Sequence, residues 1–119
     1  MSETNKKKYD LEEITTNFAK DVRLFINQLP KNVNNIEDSK QVNRSSGSVA
    51  ANYIEANEAL SKKDFLLRIK ICRKEAKESR MWLGLFILGS NTLNQRRQEL
   101  FQEAHELMMI FGSILRKSE

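Results

Sequence analysis

The chain has little of what small folds use to turn or to crosslink: one Cys, one Pro, one His and four Gly in 119 residues. A lone Cys72 cannot form an internal disulfide, so nothing points to an oxidising compartment. No set of Cys or His residues has metal-ligand spacing, and no cofactor motif is present; no metal site or cofactor is expected. So few turn formers argue against a sandwich or barrel. There is no run of about 18 apolar residues, hence no expected transmembrane helix. The polar start, Met1 to Tyr9, carries Lys6, Lys7 and Lys8 but is followed by no apolar segment, which excludes a secretory signal. A cytoplasmic protein that does not engage membranes is expected.

What is present is 39% hydrophobic and 30% charged residues. That balance suits a helical protein with solvated faces, and the length suits one core. Residues 1–9 read as a flexible basic segment and residues 10–119 as one four-helix domain. Asp10 with Glu13 reads as a helix start, after which Leu11, Ile14, Phe18, Val22, Phe25 and Leu29 recur at three- and four-residue steps until Pro30. An Asn-rich turn over Lys31 to Asn35 precedes a second helix from about Ile36 to Ala59, with Val42, Ser45, Val49, Tyr53 and Ala56 on its inner face. Ser61 opens a third helix with Phe65, Ile69, Cys72, Ala76, Leu83 and Phe86 inward and Gly89 as its stop. Thr92 with Gln95 is expected to cap a fourth helix carrying Leu93, Leu100, Ala104, Leu107, Met108, Phe111, Ile114 and Leu115 on one side. Short loops between amphipathic helices predict an all-α, antiparallel, up-down-up-down, left-handed four-helix bundle.

Helix three has a second apolar face. At about 100° per residue, Leu67, Ile71, Trp82 and Leu85 fall a quarter-turn or more from the core stripe. Ile54 on helix two also points away from its core. These residues read either as scattered surface apolars or as a subunit interface anchored by Trp82. Charge is uneven too: from Ser61 to Gly89 eight Lys or Arg face Asp64, Glu75 and Glu78, an excess of +5 against +4 for the whole chain. Lys63, Lys70, Lys74 and Lys77 share the outer face, with Arg73 on its flank. Such a stripe either solvates the helix or binds phosphates without sequence preference.

Catalytic chemistry is sparse. The pairs Glu55 with Glu58 and Glu75 with Glu78 lack a Glu-x-x-His partner, since Gln102 precedes the only histidine, His105. Cys72 falls on the core stripe, where it is a small buried hydrophobe. No enzyme and no small-molecule substrate are expected.

The run Gln41-Val42-Asn43-Arg44-Ser45-Ser46-Gly47-Ser48-Val49-Ala50-Ala51-Asn52-Tyr53-Ile54-Glu55-Ala56, with Asp64-Phe65 and Ile69 to Glu78, resembles the four-helix-bundle proteins encoded in intervening sequences of bacterial 23S ribosomal RNA genes. Arg44, Ser48, Asn52 and Glu55 are its most specific part. Ala50 stands where such proteins often have Pro, and Ala56 where they often have Gly. The resemblance implies a homopentameric ring, similar in fold to the accessory protein of diversity-generating retroelements, which binds nucleic acid. It strengthens the expectation of RNA as a partner, met by Lys63, Lys70, Arg73, Lys74 and Lys77 of the basic stripe, and agrees with the apolar face read from periodicity, which would set Ile54, Leu67, Ile71, Trp82 and Leu85 between subunits. Arg44, Asn52, Glu55, Glu75 and Glu78 are read as structural polar groups, with Arg44 pairing to Glu75 or Glu78 rather than to Glu55 on its own helix. The alternative is an adaptor that assembles through its apolar faces and engages another protein.

Overall fold

Asp10, Asn32, Ser61 and Ser90 each turn a side-chain oxygen onto the backbone N–H three residues ahead, and each starts a helix. The computed structural model describes residues 10–118, so the basic segment expected over 1–9 lies outside the described residues. The helices are α1 (Leu11–Ile26), α2 (Val33–Asn57), α3 (Lys62–Leu85) and α4 (Asn91–Lys117). Each contacts its neighbours in the chain, α4 returns to α1, and no diagonal pair brings its backbones together. Paired contacts run in opposite directions along adjacent helices: Glu12 meets Asn57 and Arg23 meets Asn43, Asn52 meets Arg68 and Arg44 meets Glu78, and Arg80 meets His105 while Arg73 lies by Gly112. All four neighbours are therefore antiparallel, and the molecule is a four-helix bundle.

Several helix ends differ from those expected. α1 stops at Ile26, and residues 27–29 form a turn that still buries Leu29 ahead of Pro30. α2 begins at Val33 because Asn32 caps it, which moves most of the Asn-rich turn into the helix. α3 ends at Leu85 rather than Gly89. Phe86 adopts an extended backbone, so Phe86 and Leu88 point inward while Ile87 points to solvent. The Phe86 ring then meets Phe25 edge-on with centroids 5.7 Å apart. This extended stretch runs directly into Ser90, and Ser90, not Thr92, caps α4.

The core follows the expected stripes, with two polar insertions. Ile14 is 38% exposed and its neighbour Thr15 is buried instead. The Thr15 hydroxyl donates to the Leu11 carbonyl at 2.6 Å, which removes the penalty of hiding it. At mid-bundle the Ser45 and Ser79 hydroxyls, both buried, meet at 2.7 Å between α2 and α3. Their small side chains let these two helices pack closely. Ser45→Ala is expected to lower stability by about 1 kcal/mol, read by urea unfolding, because Ser79 would lose its partner.

Candidate nucleic-acid interface

α3 carries three different flanks at its 100° period. Ile69, Cys72, Ala76, Ser79 and Leu83 face the core. Glu75 and Glu78 turn toward α2, where Arg44 waits; Arg73, Lys77 and Lys70 turn toward α4. The antiparallel register of α3 and α4 sets Arg73 beside Gly112, so that a Cβ at Gly112 would stand 3.8 Å from Arg73 Cδ and 3.4 Å from Arg116 Nη1. The missing side chain leaves room for two guanidinium groups from opposite helices.

The result is an open groove of about 510 Å³ between α3 and α4, lined by Lys70, Arg73, Lys74 and Lys77 on one wall and Arg116 on the other, with Met108, Met109 and Gly112 between them. Four of the five basic residues expected to meet phosphates line this one groove. Lys63 does not join them: it lies near the start of α3, beside Leu66 and Leu67, in a separate cleft of about 620 Å³ that Lys70 also borders. Arg116, Met109 and Gly112 went unnoticed in the sequence, and Met108 was read only as part of the inner side of helix four, because they belong to the groove only once the register of α4 is known. A cleft of similar size beside Pro30 holds a single cation, Lys31, and has no comparable charge.

On the opposite flank of α3, Arg44 Nη2 donates to Glu75 Oε1 at 3.3 Å and to Glu78 Oε1 at 3.0 Å. Glu75 is buried, and Lys74 Nζ lies 4.0 Å from its second oxygen. One helix turn-set away, Asn52 donates to the Ser48 carbonyl and hydroxyl and accepts from Arg68 Nη1, each at 3.0 Å. Arg68 is a further partner that its own sequence neighbours did not single out. Glu55 remains exposed. These contacts lie within one chain and fix how α2 sits on α3. Arg44 is itself 54% exposed, so solvent screens the pair. Arg44→Ala is expected to cost about 1 kcal/mol and to lower the melting temperature by about 4 °C. An unchanged melting curve would show that the pair contributes nothing to stability.

The apolar residues assigned to an interface are divided. Leu67, Leu85 and Ile54 are 53%, 50% and 44% exposed. Ile71 and Trp82 are half-buried, and Trp82 packs against the chain's own core. Cys72 donates to the Val49 carbonyl at 3.5 Å and is fully buried, which pushes its thiol up to about 12. A thiol that stays protonated is a poor nucleophile. It should resist a thiol reagent in the folded protein and react fully in denaturant. Among the described residues no group of His, Cys, Asp or Glu is placed to hold a metal ion, and no helix is long and apolar enough to cross a membrane.

The comparisons with known proteins agree with this architecture. Residues 7–113 match the family model described as 23S rRNA-intervening sequence protein. The chain is similar to a protein of unknown function from the S23 ribosomal protein family of Bacteroides thetaiotaomicron, whose crystal structure it matches with a TM-score of 0.70 and 28% identity. That match covers 87% of this chain and 96% of the other. No curated protein matches it. A match over nearly the whole bundle is enough to place it: the chain belongs to the 23S rRNA-intervening sequence protein family.

Proposed function

We propose that the protein is a cytoplasmic, non-catalytic RNA-binding protein that works as a homo-oligomer, a pentamer as the family resemblance implies. The observation that carries the RNA reading is the α3/α4 groove, where five cations from two helices converge on one channel. A solvating stripe needs only to point outward; cations on facing walls define a path for an anion. Phosphates in that path release counterions as they bind, so the affinity should fall log-linearly with salt. A ring of copies would repeat the groove about its axis and strengthen the field that draws RNA in.

The test is RNA binding by the purified protein across a salt series, with mass followed by light scattering in the same buffers. The slope of log affinity against log salt should be about −3.5 for each groove if all five cations meet phosphates of a single strand. A second reading, an adaptor for another protein, is favoured by the exposure of Leu67, Leu85 and Ile54. Absence of RNA binding at low salt in an intact assembly would favour that reading instead, since an apolar contact is nearly indifferent to salt.

A further inference from the structure

We infer that the α3/α4 groove takes single-stranded RNA in preference to duplex, gripping the backbone between its basic walls while Met108 and Met109 receive a base. This rests on the RNA-binding reading and narrows it. Lys70 to Lys77 span about 10 Å of helix, which matches roughly three nucleotides of one strand at about 3.4 Å each. Side chains fill the space between packed helices, so the groove is a furrow of about 510 Å³ on the bundle surface, enough for part of one strand and too small for the body of a duplex. A duplex also meets these cations, all of them exposed, but it keeps its base faces stacked inside and lays none on the methionines.

Between the basic walls the surface is neither charged nor aromatic. Met109 is 51% exposed and Met108 half-buried, while the space at Gly112 is taken by the Arg73 and Arg116 side chains. Two thioether side chains give a base an apolar, polarisable surface that adapts to its shape. They offer no fixed donor or acceptor with which to read its edge. The site should therefore require a base without choosing among bases, unlike the aromatic platforms of other single-strand binders. The cations hold the strand in place and the methionines distinguish a nucleic acid from a bare polyanion.

The experiment compares short oligouridine, oligoadenosine, a duplex of the same length and an abasic ribose-phosphate strand by fluorescence anisotropy at one low salt concentration. The intact protein and the Met109→Ala variant are both measured, the latter at a position exposed enough to leave the fold intact. Either single strand should bind at least about tenfold more tightly than the duplex, and a few-fold more tightly than the abasic strand. Met109→Ala should reduce the advantage over the abasic strand and leave the salt slope unchanged. Equal or tighter binding of the duplex, or of the abasic strand, would overturn the inference while leaving RNA binding in place. No binding of any strand would remove the RNA reading itself.

Discussion

Replacing Lys70 and Lys77 together by Glu is expected to weaken RNA binding by about a hundredfold at low salt, with helical content and molecular mass unchanged. Each change removes one favourable phosphate contact and adds a repulsive charge. At about 0.7 kcal/mol for each of the four units of charge altered on an exposed surface, the total approaches 3 kcal/mol, a factor of about 100. The pair is chosen because both side chains are exposed and both line the groove. Lys74 is the poorer choice: it lies 4.0 Å from Glu75, and a carboxylate there would crowd the two that Arg44 holds. The loss should shrink as salt rises, because each counterion released into a more concentrated solution gains less entropy. A loss of mass along with binding would mean that this wall of α3 lies between subunits.

The second large effect is on stability. Phe111 is fully buried on α4, its ring 6.1 Å from that of Tyr53 on α2. It links two helices whose backbones do not come together. Phe111→Ala should cost about 3–5 kcal/mol, combining lost burial with a cavity that its helical neighbours cannot close. Against a usual total of about 5–15 kcal/mol, that is enough to leave the bundle partly unfolded at moderate temperature. Urea unfolding monitored by circular dichroism measures it as a fall in midpoint. A change below about 1 kcal/mol would mean that the site collapses around the smaller side chain. Because Met108 and Gly112 flank Phe111 in the sequence, the same substitution should also disturb the groove.

How far the sequence revealed this molecule depended on whether a feature was set by one helix or by two. The inner stripes of α1 to α4 repeat along a single helix, and residues such as Phe18, Val42, Ile69 and Leu100 were legible from that period alone. Burial of Thr15 in place of Ile14 was not, because a hydroxyl bonded to its own helix backbone leaves no mark in hydropathy. The α3–α4 junction was misread for a similar reason. Thr92 with Gln95 resembles a capping box, but the inward pull on Phe86 and Leu88 sets the chain extended up to Ser90, whose hydroxyl takes the cap first. The basic wall of the groove was visible as charge on α3. Its other wall required the register that brings Gly112 and Arg116 to Arg73, and no property of α4 alone supplies that register.

The central claim is that RNA lies in the α3/α4 groove, and the methyl resonances of the methionines test it most directly. Met108 and Met109 line the groove, whereas Met81 lies on α3 outside it and is partly exposed. Titrating short single-stranded RNA into methyl-labelled protein should shift Met108 and Met109 saturably and leave Met81 in place. Movement of Met81 with Met108 and Met109 unchanged would locate the RNA elsewhere and contradict the account.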